Sequence, residues 1–369
     1  MDPLSPALAR FPLIARIRPA CPPLPDRVAR LVTRAEEAAA TGDLRSASVV
    51  LNQAALLASD VGVPDLARRL CIDHATAFLD ACPLPGREAM YGLEPMVNLA
   101  RLRIRDQRPD EGRTYLLAMY AAVTDNTPAT LDGVTLPAEL TTRDEERQEI
   151  RKWLWSVLLA DGTRTLTENG RWKDALAHIE EHHGVCSRML DGRQVAVIAA
   201  ITRGDVRTAH ELLQTTAPGE DWEQVVTAVL ELVALNVEGG HHPSQRAELV
   251  EAFLDYPLAD GLTVPRTRLG LTIVDAIAEA DPPAAVRIAS DLFATTAPLR
   301  DGYAAREILA HPDRNGVLTP RQIDELSANL AASGLDAGHI APALHTALTG
   351  AALNSREVIS VTLARPVSL

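Results

Sequence analysis

The sequence predicts an all-α protein, a solenoid of stacked antiparallel helical hairpins. Three observations carry that reading. The first is a repeat: NGRWKDALAHIEEHHG from Asn169 returns as RGDVRTAHELLQTTAP from Arg203. Gly170 then aligns with Gly204, Trp172 with Val206, Ala175 with Ala209 and Ile179 with Leu213, at an offset of 34 residues. That period signals stacked helix pairs. The second is recurrence of the same skeleton with its turn at positions 42, 107 and 280, spaced by roughly two repeat lengths or a little more. The third is composition. Of 369 residues 47% are hydrophobic but only 4% aromatic, so small and aliphatic side chains must make the core. Closely packed helices suit that composition, and a β-sandwich does not.

The spacing has a physical cause. A tight turn between helices favours a residue that tolerates positive φ, which Gly170 and Gly204 supply. Asp205 follows where an N-cap or first-turn acid belongs. Ala175 and Ala209 fall where the second helix of each hairpin must press on the first, and a larger side chain would hold the two apart. Ile179 and Leu213 continue the same face one turn later. TGDLRSASVVLNQA repeats the pattern with Gly42, Asp43, Ala47, Leu51 and Ala54. DQRPDEGRTYLLAM places Gly112 at the small position and Leu116 after it, and EADPPAAVRIASDL places Ala285 there. These residues resemble the tetratricopeptide repeat, with its turn glycine, close-contact alanine and large apolar residue. The resemblance is good over residues 170–218 and degenerate elsewhere. It implies a right-handed superhelix whose concave groove binds peptides or partner proteins, with no catalysis and no cofactor.

Taken in order, residues 1–24 form a proline-rich arm, read as irregular chain lying across the first hairpin, with a disordered tail as the alternative. Residues 25–125 are the N-terminal hairpins. Asp26 opens a helix striped by Val28, Leu31, Ala35 and Ala38. Leu44–Ser59 is its partner, and Pro64 starts a third helix that the Pro83–Pro85 pair stops. Further helices follow over 87–106 and 109–125. Residues 126–142 break the rhythm with two prolines and Asp132-Gly133. They read as a surface loop insertion with a short hairpin and as a candidate contact surface. Residues 143–369 form a C-terminal helical-repeat region. It opens with a long helix over 143–169, with either Trp153 or Trp155 in the core. Helices continue at 222–237, 244–254, 264–280, 283–296 and 320–333. The segment EVISVTLA near the end fits helix or strand equally.

The chain is acidic, with a formal net charge of −13, which repels phosphate backbones and argues against nucleic acid as a partner. Nearly all its cations are arginine, as a GC-rich coding sequence gives, since Lys152 and Lys173 are the only lysines. Cys21, Cys71, Cys82 and Cys186 lack metal-site spacing and read as reduced thiols of a cytoplasmic protein. Apolar runs such as that from Val195 are too short to span a bilayer, so no membrane partner is expected.

Counting back from each turn glycine puts Arg164 on the first helix of the central hairpin, and Asp191 and Gln194 on that of the next. In the resembled repeat, positions near these face the groove. Their polar groups would there meet a ligand's backbone amides or carboxylate, Arg164 through its planar fork of donors. The alternative reading is a metal-dependent hydrolase. His178, Glu181 and His182 match the H-x-x-E-H pattern of inverted zinc peptidases, with two histidines one turn apart as ligands and the glutamate as base. The competing account of those residues is a solvated helix face, with histidine near the C-terminus where the dipole favours it. DRNG from Asp313 echoes a calcium loop but offers His311 and Gln322 where acids are needed. It reads instead as a turn, with Thr319 capping the next helix.

Overall fold

The computed structural model describes residues 5–239 and 242–364. Among these the regular structure is α-helical apart from short helical turns and one two-stranded hairpin. It divides into two compact units: unit 1 comprises Met1–Pro23 and Leu166–Ser333, and unit 2 comprises Leu24–Thr165 and Gly334–Leu369. The sequence segments drawn at 24, 125 and 142 therefore differ from the division by contact. The arm belongs with residues 166–333, and the C-terminal helix belongs with the N-terminal hairpins.

The helix α1 (Pro6–Ala9) is a single turn in the arm. In α2 (Leu24–Thr41) the buried residues are Leu24, Val28, Leu31, Ala35 and Ala38, the apolar stripe at helical spacing. The chain turns at Gly42, and Asp43 caps α3 (Leu44–Val61) by accepting from the Arg45 and Ser46 amides at 3.0 and 3.2 Å. Pro64 occupies the first turn of α4 (Pro64–Leu79), where a missing N–H costs little. Then α5 (Gly86–Arg105) and α6 (Pro109–Asp125) meet at Gln107, which takes a positive φ. Gly112 of α6 has room for no side chain: a Cβ there would stand 2.7 Å from Ile104 and 2.9 Å from the Ala100 carbonyl. This is the close approach that the small position of the repeat requires.

The strands β1 (Ala129–Leu131) and β2 (Val134–Leu136) pair antiparallel around Asp132-Gly133, both at positive φ, the two-residue turn that matches strand twist. The hairpin is present in a loop whose residues are mostly exposed, but part of it turns inward. Val134, Leu136, Leu140 and Thr141 are all buried, and β2 packs on α4. Asp132 explains why. Its carboxylate accepts two bonds from Arg103, both at 2.7 Å, and one from Arg68 at 2.7 Å, drawing the turn onto α4 and α5.

The long helix expected over 143–169 is interrupted. It consists of α7 (Asp144–Val157), a π-helical turn Leu158–Gly162, and α8 (Thr163–Thr167). The inserted turn presents Asp161 to Arg101 of α5, with bonds of 3.0 and 2.8 Å. Neither Trp153 nor Trp155 enters the core; both are half-buried, and Leu154 between them is the buried residue.

The remaining helices are α9 (Trp172–Glu181), α10 (Asp191–Thr202), α11 (Val206–Gln214) and α12 (Asp221–Glu238). Next come α13 (Pro243–Asp255), α14 (Thr263–Ile277) and α15 (Pro282–Thr296). The chain then forms α16 (Gly302–Leu309), the turn α17 (Arg314–Val317), α18 (Pro320–Ser333) and α19 (Pro342–Leu363). All five turn positions fall between helices, and Gly42, Gln107, Gly170 and Gly204 have positive φ. The small residues five positions on, Ala47, Gly112, Ala175, Ala209 and Ala285, are all buried. Thus α2–α3, α5–α6, α10–α11 and α14–α15 are packed helical hairpins. The ambiguous segment EVISVTLA is helical through Leu363, and α19 packs on α2 and α3, so unit 2 ends against its own beginning.

Candidate functional site: the surface beneath the N-terminal arm

The arm, expected to lie across the first hairpin, groups instead with unit 1. Its buried residues Leu8, Phe11, Leu13 and Cys21 belong to unit 1, and α1 packs on α14. The surface that receives it is built from α10, α14 and the start of α16. Helix α10 is apolar on every side, with Val195–Ile201 wholly buried, so it forms the middle of the unit. Arg193 fixes α11 against it, donating to the Leu212 carbonyl at 2.6 Å and to Thr215 Oγ1 at 2.7 Å. The entry to α10 is held by Glu223, whose carboxylate pairs with Arg188 and closes a capping box with Glu220.

On that scaffold Gln194 is fully buried, and its amide reads the main chain of the arm. Its Oε1 accepts from the Leu13 N–H at 2.7 Å, and its Nε2 donates to the Leu13 carbonyl at 2.8 Å and to the Met189 carbonyl at 3.0 Å. Asp191, at the first turn of the same helix, pairs with Arg16 at 3.2 Å. That pair is largely exposed and contributes at most about 1 kcal/mol. Arg164 is exposed on α8 and belongs to unit 2. Two of the three residues singled out in the sequence therefore share one surface, and Arg164 does not join them there. Gln194 is no open groove residue, because a segment of the same chain already occupies its amide.

Further contacts, none of them legible in the sequence, complete the surface. Arg268 Nη2 donates to the Arg10 carbonyl at 3.0 Å. The Arg18 N–H donates to the Gly261 carbonyl at 2.8 Å. Asp301 caps α16 through the Tyr303 N–H and accepts the Cys21 N–H at 3.0 Å, while the Gly302 N–H donates to the Cys21 carbonyl at 2.8 Å. The arm's arginines are also met: Arg10 pairs with Asp275, and the Arg18 guanidinium lies 3.5 Å from the centre of the Tyr303 ring. Asp275 is nearly buried, and His311 Nε2 bonds its other oxygen at 3.0 Å. Burial pushes the Asp275 carboxyl up, but the hydrogen bond from His311 and the charge of Arg10 outweigh it and hold it below the usual carboxylate range. Chemically the surface meets the arm's main chain with side-chain groups of Gln194, Arg268 and Asp301 and main-chain groups of Gly261 and Gly302, flanked by further acids and one aromatic face.

The histidine motif sits elsewhere in unit 1. His178 is 4% exposed rather than solvated, and its ring meets that of His182 edge-on with centroids 4.8 Å apart. His182 is the C-cap of α9 and is half-buried, and Glu181 is exposed. Among the described residues no group of three or more His, Cys, Asp or Glu is placed to hold a metal ion, so these residues supply no third ligand. DRNG forms the turn α17, and Thr319 and Gln322 cap α18 reciprocally at 2.8 and 3.4 Å. His183 is exposed, His242 is half-buried and His241 lies outside the described residues. No described helix is long and apolar enough to cross a membrane. Comparison with protein-family models, with curated proteins and with solved structures finds no match to this chain.

Proposed function

We propose that the protein is a non-catalytic peptide- or protein-binding module, an adaptor, scaffold or peptide-sensing regulator. In this reading its hairpins form a right-handed, tetratricopeptide-like solenoid. The observation that carries it is the Gln194 amide, which bonds both main-chain groups of Leu13 in a segment that is neither helix nor strand. A side-chain amide that satisfies an N–H and a C=O of one residue recognises peptide backbone whatever the sequence. Neighbouring side chains then supply specificity. The five buried small positions support the repeat assignment, and at four of them the small residue lies in a packed hairpin. Panning a random displayed peptide library against the whole chain tests the reading. A related family of peptides should enrich, with dissociation constants of about 100 μM or better. Enrichment no greater than on an unrelated helical protein contradicts it.

A further inference from the structure

The contacts between arm and unit 1 divide into two kinds. Those made through the arm's main chain, at Arg10, Leu13, Arg18 and Cys21, do not depend on the side chains at those positions. Those made through its side chains select arginine at three places, against Asp275, Asp191 and Tyr303. Between the anchors at Leu13 and Cys21 the arm is not embedded: Arg16, Pro19 and Ala20 are exposed, and Ile17 is 80% exposed as it crosses Gly261. Residues 11–23 form no helix or strand, and only Pro22 and Pro23 separate the last anchor from α2. A segment held by a few main-chain bonds, arginine contacts and spaced buried side chains, here Leu8, Phe11, Leu13 and Cys21, is bound as a peptide ligand is bound.

We propose that this surface of unit 1 is a site for an irregular, arginine-bearing peptide segment with the spacing of residues 10–21, and that the arm is its resident intramolecular ligand. The external partner is a segment of another protein that presents arginine, two apolar residues close behind it, and two further arginines at the places of Arg16 and Arg18. Charge complementarity singles out that chemistry. Asp191, Asp275 and Asp301 outnumber the cation Arg268 along the track, in a chain whose net charge is already −13, so a basic segment is attracted and an acidic one repelled. The arm competes with this partner at the effective concentration of a short tether, in the millimolar range. Binding in trans is therefore suppressed until the arm is weakened or outcompeted. This inference rests on the peptide-binding reading and adds the site, the class of ligand and the competitor.

The test uses the full chain and a labelled synthetic peptide of residues 5–23. Replacing Arg10→Glu and Arg16→Glu together sets two acids of the arm against Asp275 and Asp191 without altering the surface. This variant should bind the labelled peptide about tenfold or more tighter than the parent does. A peptide carrying the same two replacements should bind neither chain. Equal affinity for parent and variant, or no binding to a variant whose circular dichroism matches the parent, overturns the proposal. Should the variant fail to fold, hydrogen exchange of the parent decides. The Leu13, Arg18 and Cys21 amides should exchange together, faster than those of α10, if the arm is a detachable ligand. Exchange of those amides only with α10 makes the arm a fixed part of the core and overturns the proposal. Library peptides that bind while the arm peptide does not would leave the functional reading standing and remove only this inference.

Discussion

Replacing Asp132 by alanine should lower the stability of the protein by about 3 kcal/mol, read as a fall in the denaturation midpoint of the whole chain. The carboxylate is 5% exposed and answers two guanidiniums, Arg103 through both its terminal nitrogens and Arg68 through one. Removing it leaves Arg103, itself 16% exposed and lying over the Tyr115 ring, as an uncompensated cation. Uncompensated buried charge costs more than the intact pair contributes. Asp132→Asn keeps a residue that tolerates the turn's positive φ and removes only the charge, so it separates electrostatics from turn geometry. The pH dependence has a definite sign. Burial raises the Asp132 carboxyl, but Arg103 and then Arg68 outweigh it and hold its folded pKa below the ordinary value. The stabilisation is complete above about pH 4 and is lost as pH falls through the folded pKa. Parent and Asp132→Ala should therefore converge in acid. A midpoint unchanged by Asp132→Ala at neutral pH would contradict this account of the hairpin.

A second large effect is expected below neutrality, from His74. The ring is completely buried in α4, Ser48 Oγ bonds its Nε2 at 3.0 Å, and Phe78 packs edge-on against it. Burial alone pushes its pKa from the ordinary 6.5 down to about 3. Between those values the unfolded chain binds a proton that the native state refuses. The native state is therefore penalised by about 1.4 kcal/mol for each pH unit below 6.5, a loss that builds as pH falls toward 3. Replacing the pair by Ser48→Ala with His74→Met removes both polar groups and should flatten this limb of the stability curve. A double variant that loses stability on acidification as steeply as the parent would show that His74 is not the group responsible.

The parts of this fold that were legible in the sequence are those fixed by neighbours in sequence. The turns at 42, 107, 170, 204 and 280 could be read because a turn residue, a small residue five places on and an apolar residue one helical turn later are local requirements of one hairpin. The tight turn at Asp132-Gly133 was legible for the same reason. Its burial was not, because the sequence does not say that Arg68 and Arg103 converge on its carboxylate. The π-helical turn at Leu158–Gly162 left no mark in the pattern, which reads as continuous helix on either side. Placement of the arm failed most plainly. Proline and arginine content identify an irregular basic segment, but Leu13 finds Gln194 181 residues away and Cys21 finds Asp301 280 residues away. Periodicity within the arm carries no information about such distant partners. Gln194 was reached from repeat position alone; Asp275, Gly261 and Tyr303 had no sequence signal at all.

The most direct test of the central claim is the nuclear magnetic resonance signal of the Gln194 side-chain amide. In the parent, its NH₂ group donates to the Leu13 and Met189 carbonyls, and this environment should shift the resonance from that of an exposed glutamine. In the Arg10→Glu, Arg16→Glu chain the signal should move or broaden as the arm detaches. Excess peptide of residues 5–23 should then return it to the parental position. A peptide that binds and leaves the Gln194 signal where the arm's release had put it would place recognition elsewhere and contradict the account.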